Sequence, residues 1–275
     1  YMAYSIWRER CREWERQGFF EVAKMAIEEE QLAWDDVIAN NIFVVCKTPM
    51  AVSITKRTLT GFRDVKQVNA RYYADLVETL KTNPESFTKD VVRGQYFWHN
   101  KNAEKEMKFN AIVGNPPYQV MDGGNAASAL PVYQYFVETA KLLSPNYTSI
   151  IIPAKWYSGG RNLDEFRKNM LNDKRIAILH DVTDSRDLFP SADIAGGLCY
   201  FLWNKEYQGN CLVTTHNYGH ESTSKRDLST HESFIRFAES FGIISKVEKF
   251  NEPKLSTKVY PQRPFGLRTF VTPLE

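Results

Sequence analysis

Five consecutive residues carry the most legible chemistry in this chain. Gly114-Asn115-Pro116-Pro117-Tyr118 follows the apolar run Phe109-Asn110-Ala111-Ile112-Val113. Because Pro117 comes next, Pro116 is excluded from the helical region, and its carbonyl is held in an extended geometry as a preset acceptor. The Asn115 amide oxygen is a second acceptor, neutral and unable to remove a proton outright. Tyr118 adds a flat face with a polar tip. Two acceptors beside an aromatic plate match a planar amine with two N–H bonds, such as the exocyclic amine of adenine. That amine is a poor nucleophile, because its lone pair is delocalised into the ring. Drawing both hydrogens toward fixed acceptors favours pyramidalisation, localises the lone pair toward an electrophile and stabilises the positive charge that develops. A sulfonium methyl group would be such an electrophile. In duplex DNA the base must also be rotated out and held by stacking, the task expected of Tyr118.

The other chemistry-bearing residues are less organised. His99, His180, His216, His220 and His231 have no spacing that suggests a metal site or a nucleophile-base pair, and no metal is expected. Cys11, Cys46, Cys199 and Cys211 lack metal-ligand or disulfide-like spacing, which suits a reducing cytoplasm. The pairs Asp173/Asp181 and Asp184/Asp187 have no third ligand and no adjoining glycine-rich loop. Trp156 reads as packing and its neighbour Lys155 as a candidate phosphate contact. From Lys246 onward, Lys249, Lys254, Lys258, Arg263 and Arg268 interleave with Phe250, Tyr260 and Phe265. That pattern fits a segment following a nucleic-acid backbone, with Arg263 and Arg268 as candidate DNA contacts, and equally a solvated tail.

The elements that must position the corner follow from periodicity. At 275 residues, with 43% hydrophobic residues and a net charge of +2, the chain has material for a large core and no whole-chain field that argues for or against nucleic acid. No apolar run is long enough to span a bilayer. The charged N-terminal stretch reads as one or two amphipathic helices, with Trp7 and Trp14 as packing anchors. Asn41–Val45 reads as a strand, followed by a helix that Thr48 caps and Pro49 opens. RYYADLVETL is expected to be helical and broken at Asn83-Pro84. FNAIVG, TSIIIP, RIAILHDV and GLCYFLWNK read as strands, separated in part by the helices PVYQYFVETAKLL and LDEFRKNMLND. In the helix over 131–143, Val132, Phe136, Ala140 and Leu143 should share one face. NCLVTT should pair with GLCYFLW as a hairpin at one edge, and a helix is expected from His231 to Phe250. Strands alternating with helices predict a doubly wound, mostly parallel sheet with helices on both faces. The expected divisions are a helical segment over 1–40, a catalytic domain over 41–215 and a helix with a tail over 216–275.

At the corner the sequence resembles the S-adenosylmethionine-dependent amino-methyltransferases, whose catalytic motif is Asp, Asn or Ser followed by Pro-Pro and an aromatic residue. The segments PVYQYFVETAKLL, TSIIIPAKWYSGGRNLDEFRKNMLND and RDLFPSADIAGGLCYFLWNK resemble those that follow it in adenine-specific DNA methylases of combined type II restriction-modification systems. The resemblance covers Phe109 to Thr215, and RPFGLRTF is also similar. It implies a Rossmann-like methyltransferase fold, S-adenosylmethionine as cofactor, double-stranded DNA with a flipped adenine as substrate, and a cytoplasmic location. By this resemblance Asn115, Pro116, Pro117 and Tyr118 are catalytic, Asn115 also faces the cofactor, and Phe189 is the second wall of the base pocket. The family's glycine-rich loop upstream of the motif has no counterpart here. Cys46 or Lys47 stands where an acidic ribose-binding residue is usual, and Gln95 ends a segment that commonly ends in an acid. The chain is therefore expected to be part of a larger restriction-modification enzyme. The alternatives are a methyltransferase acting on protein glutamine or RNA, and a non-catalytic DNA-binding module of the same fold.

Overall fold

A computed structural model describes residues 2–18, 27–65, 67–120, 130–160, 162–253 and 255–259. The charged N-terminal stretch forms two helices, α1 (Met2–Arg16) and α2 (Ile27–Asn40). They share a small core in which Ala3, Ile6, Trp7, Trp34 and Val37 meet. Strand β1 (Phe43–Cys46) leads into α3 (Pro49–Thr60), where the Thr48 hydroxyl accepts from the Ala51 amide at 3.1 Å. Gly61 ends that helix at φ 59°, a left-handed conformation that costs glycine little.

RYYADLVETL is not a single helix. Arg71 and Tyr72 finish a strand, β2 (Asn69–Tyr72), parallel to β1, and helix α4 (Leu76–Thr82) starts only after Asp75 at φ 49°. The extended start is fixed by tertiary contacts, since the buried Asn69 amide donates to the carbonyls of Ala39 at 2.7 Å and Ile42 at 3.1 Å. Paired tyrosines favour strand as well as helix, so periodicity alone misplaces them. Asn83 then caps α5 (Pro84–Val91), accepting from the Ser86 amide at 3.1 Å, and a short helix α6 (Gly94–Phe97) follows. The β1-β2 pair carries helices on both faces. Phe43 and Val45 meet Leu76, Leu80, Phe87 and Val91, while Val44 joins the core of α1 and α2 with Leu59 of α3.

The remaining chain builds a six-stranded sheet from β3 (Ala111–Gly114), β6 (Tyr147–Pro153), β7 (Ile176–Val182), β8 (Leu198–Asn204), β9 (Cys211–Asn217) and β10 (His220–Arg226). A short pair, β4 (Gln119–Val120) with β5 (Leu130–Pro131), stands apart from it. The strand order is β10-β9-β7-β8-β6-β3. Pairs β3/β6 and β7/β9 are parallel, and β8 runs antiparallel between β6 and β7. Thus β3, β6, β7 and β9 share one direction, and β8 and β10 oppose it. The expected hairpin of β8 with β9 does not form, because β7 lies between them. The hairpin at the edge is β9 with β10, turning at Tyr218-Gly219. Its second strand, HESTSKR, has no apolar face, which is why periodicity hides it.

Helices α7 (Tyr133–Leu142) and α8 (Asp164–Asn172) cover one face of this sheet. Tyr133, Val137 and Ala140 of α7 and Phe166 and Met170 of α8 meet Ile150, Ile152, Phe201 and Trp203. Helix α7 is apolar on a second side, where Tyr135, Phe136 and Leu143 pack against the core beneath β1. One stripe was expected; two are present, because this helix sits between two cores. The final helix, α9 (Glu239–Glu248), is shorter than its sequence suggests. The residues before it are held out of a helix by Phe234, which reaches the main core and stacks on Tyr157 at 4.1 Å. All four cysteines are buried and unpaired, and no described helix is long and apolar enough to cross a membrane.

Two features set measurable limits on this fold. Gly197 sits at φ 79°, and a Cβ there would lie 2.1 Å from the Val182 carbonyl oxygen. Gly197→Ala should therefore cost at least about 2 kcal/mol, read as a fall in the chemical-denaturation midpoint. Asp173, nearly enclosed, accepts from Lys141 at 2.9 Å, Arg175 at 2.7 Å and the Trp203 indole at 3.0 Å. Burial raises its pKa, but the hydrogen bonds and charges of Arg175 and Lys141 outweigh that and hold it at about 2. A depressed carboxylate contributes above its unfolded pKa and loses that contribution as pH falls through the folded one. Asp173→Asn should lose roughly 2 kcal/mol at pH 7, and the gap to the parent should close between about pH 4 and 2.

Candidate active site

Parallel-type strands present their carboxyl ends along one edge, and the loops there form the usual ligand crevice. β3 ends at Gly114, β6 at Pro153 and β7 at Val182, with β8 starting at Leu198 opposite both of the latter two. The Asn115–Tyr118 corner, Lys155 and the loop bearing Phe189 therefore rise from the same edge. By strand order the Phe189 loop is three strand spacings from the corner, about 14 Å. Lys155 follows β6, between them, and is exposed.

Asn115 is exposed, and Pro116, Pro117 and Tyr118 are half-buried. The exit from the corner is pinned by backbone pairing. The Tyr118 carbonyl accepts from the Val132 amide at 3.2 Å, and β4 pairs with β5 directly after it. The tip of Tyr118 is inside the protein: its phenol oxygen is enclosed with no hydrogen-bond partner among the described residues. Burial, and then the nearby Cys199, push the phenol above its ordinary range, so it stays neutral at working pH. Burial likewise raises Tyr133 and Tyr157, and holds the Cys199 thiol at about 12. These neighbouring groups are thus neutral, and Tyr118 offers a ring rather than an acid or base.

Phe189 is half-buried on a tightly braced loop. Its amide donates to the Ser185 carbonyl at 2.9 Å, and its carbonyl accepts from Ala192 at 2.8 Å. The buried Ser185 hydroxyl donates to the Ala192 carbonyl at 2.7 Å and accepts from the Ile194 amide at 2.8 Å. Arg236 completes the bracing by donating to the Gly196 carbonyl at 2.7 Å. This arginine also stands 2.8 Å from the fully buried Asp181 carboxylate and lies over the Tyr157 ring. Sequence reading overlooked the pair, because Asp181 and Arg236 belong to unrelated local patterns.

The cofactor-side candidates are arranged differently. Cys46 is buried at the end of β1, with its thiol 3.7 Å from the Thr55 hydroxyl, so it turns into the protein rather than toward a ligand. Lys47 is exposed beside it. Gln95 lies on helix α6 and is exposed, not at a strand end. Arg263 and Arg268 lie outside the described residues. The histidines hold one surprise. Sheet register brings His180 and His216 together, ring nitrogens 3.0 Å apart, with Tyr200 stacked on His180 at 4.6 Å. Among the described residues no group of three His, Cys, Asp or Glu side chains could hold a metal ion.

Burial raises Asp181 to about 6 against the opposing charge of Arg236. A carboxyl raised in the folded state favours folding at low pH, and that contribution is lost as pH rises through its folded value. Arg236→Met would leave the buried carboxylate with Arg226 as its remaining opposing charge. The variant should lose about 3–5 kcal/mol at pH 8 and markedly less at pH 5, where Asp181 takes a proton, as read by denaturant titration at both pH values.

Comparison with known proteins identifies relatives. Residues 40–189 match the family described as Eco57I restriction-modification methylase. The chain is 39% identical over 138 residues to an uncharacterised adenine-specific methylase of Mycoplasma pneumoniae, a match that covers 47% of this chain and 31% of that protein. The chain thus spans about a third of the curated relative it matches. Among solved structures, the methyltransferase subunit of a type I restriction-modification system from Streptococcus thermophilus is similar at 14% identity and a TM-score of 0.40, covering 77% of this chain and 42% of that one. The type IIL restriction-modification enzyme MmeI, solved in complex with DNA, is similar at 12% identity and a TM-score of 0.43, covering 72% and 32%.

Proposed function

Because the chain belongs to the Eco57I restriction-modification methylase family, we propose that it forms the target-base side of an adenine-specific DNA methyltransferase within a larger restriction-modification enzyme. The observation that carries this reading is the Asn115–Tyr118 corner, standing on the carboxyl edge of the sheet with its amide exposed and its aromatic ring anchored. In this reading Asn115 and the Pro116 carbonyl each accept one hydrogen of the exocyclic amine. Pro117 fixes that carbonyl in place. As the amine attacks, positive charge develops on nitrogen, and two preset acceptors stabilise it without reorganising. Tyr118 holds the flipped adenine by its face, Phe189 closes the pocket from the loop between β7 and β8, and Lys155 meets a phosphate.

Methylases of this family draw on S-adenosylmethionine, which when bound supplies the electrophilic methyl carbon. The described residues fit the target side and do not by themselves fit that cofactor. After β1 they offer an inward thiol, Cys46, and a cation, Lys47, neither of which gives a ribose the pair of acceptors it needs. The same observation favours a second reading, a DNA-binding module of methylase fold without catalysis of its own.

Calorimetry with S-adenosylmethionine, followed by transfer of labelled methyl groups to DNA, RNA and protein acceptors, separates these readings. Transfer confined to adenine-containing DNA is the expected outcome for the enzyme in its complete form. Asn115→Ala should then lower transfer by about 10²–10³-fold, and Tyr118→Ala should weaken capture of the flipped base by roughly tenfold or more. DNA binding without affinity for the cofactor would favour the non-catalytic reading.

A further inference from the structure

The loop between α6 and β3 holds its exposed histidine in a costly conformation. His99 stands at φ 51° between two buried residues, Trp98 and Asn100. The Trp98 indole donates to the Val91 carbonyl at 2.9 Å. The Asn100 amide donates to the Ala39 carbonyl at 2.9 Å and to the Asn69 side-chain oxygen at 3.1 Å, and its own oxygen accepts from the Asn102 amide at 3.0 Å. A left-handed backbone strains a histidine and not a glycine, and it persists here because the residues on either side are fixed. Asn69 opens β2, two residues before Arg71, so the same two buried amides also set the strand that carries this arginine.

Arg71 and His99 meet nitrogen to nitrogen at the surface. The two terminal guanidinium nitrogens lie 3.2 Å from Nδ1 and 3.2 Å from Nε2 of the imidazole. A neutral imidazole accepts at one ring nitrogen and carries a hydrogen on the other, whereas a guanidinium only donates. In either tautomer, therefore, one of the two contacts sets N–H against N–H. Asp35 takes Arg63 and Asp184 takes Arg186, but among the described residues no carboxylate pairs with Arg71. Donors held against each other in this way, without an acid, suit an anion that accepts from both.

We propose that Arg71 and His99 form a binding site for a terminal phosphate group, that of inorganic phosphate or of a phosphate monoester. Two phosphate oxygens accept from the guanidinium fork, and a third accepts from the imidazole N–H. A carboxylate has only two oxygens, which the fork occupies, and a backbone diester has only two that are unesterified, so three converging donors select the terminal phosphate. The site stands apart from the Asn115–Tyr118 corner. Asn100 ties the loop of His99 to Ala39, ahead of β1, and to Asn69, at the start of β2, whereas the corner follows the carboxyl end of β3. Phosphate binding here is independent of any chemistry at the corner.

Proton NMR of the 275-residue chain tests it, because five histidines give few enough imidazole signals to follow singly, and His99→Gln identifies the one concerned. Inorganic phosphate, added at constant ionic strength, should shift the His99 ring signals saturably, with a Kd of about 1 mM or tighter. Arg71→Gln should weaken that binding at least about tenfold, and so should Arg71→Lys, which keeps the charge and loses the fork. Phosphate should also raise the denaturation midpoint of the parent chain and leave those of Arg71→Gln and His99→Gly where they are. Without phosphate, His99→Gly should match or exceed the parent in midpoint, since glycine accepts φ 51° freely. A short DNA duplex without terminal phosphates should bind at least about tenfold more weakly per phosphate group. Five results would overturn the proposal: no saturable shift of His99, an equal shift with acetate, unchanged affinity in Arg71→Gln, a lower midpoint in His99→Gly, which would mark the contact as structural, or equal binding of the duplex.

Discussion

Helix α7 is the joint on which the molecule depends. It is apolar on two sides, so Tyr133, Val137 and Ala140 belong to the core of the six-stranded sheet, while Tyr135, Phe136 and Leu143 belong to the core under β1. Close packing of this kind transmits position, because a side chain cannot shift without opening a void. The helix follows directly on β5, which pairs with the segment leaving the Asn115–Tyr118 corner, and the Gln134 amide ties its first turn to the Pro131 carbonyl at 3.0 Å. The placement of Tyr118 is therefore referred to both cores at once.

The surroundings of the corner share an electrical character. Tyr118, Tyr133, Tyr157 and Cys199 are all pushed toward their neutral forms by burial. The buried charge nearby, Asp181 with Arg236, is spent on bracing the Phe189 loop through Gly196. A neutral, poorly solvated floor strengthens any dipole aimed across it. That suits an amide and a carbonyl acting as fixed acceptors.

Much of this was legible in the sequence. Strands built on apolar runs, such as TSIIIP and RIAILHDV, and the Thr48-Pro49 helix start declare themselves by composition and capping chemistry. The corner was legible for the same reason, since two prolines dictate backbone geometry locally. What escaped was set by contacts distant in the chain. The Asn69 amide fixes Arg71 and Tyr72 in a strand through carbonyls about thirty residues away, and Phe234 straightens a helical pattern by docking on Tyr157. β10 is polar throughout, so only its partner β9 reveals it. Cys46 aligned by position with a ligand-facing residue, but orientation is a tertiary property, and its thiol faces Thr55.

The hairpin of β9 and β10 bears on how the chain would aggregate. β10 presents Glu221, Thr223 and Lys225 to solvent along its outer border, a poor template for further strands. The opposite border of the same sheet, β3, is apolar and has no further strand among the described residues. Polymerisation through a sheet requires two competent ends, whereas a single one closes after one pairing event. Through the borders of this sheet alone, self-association would therefore stop at pairs of molecules.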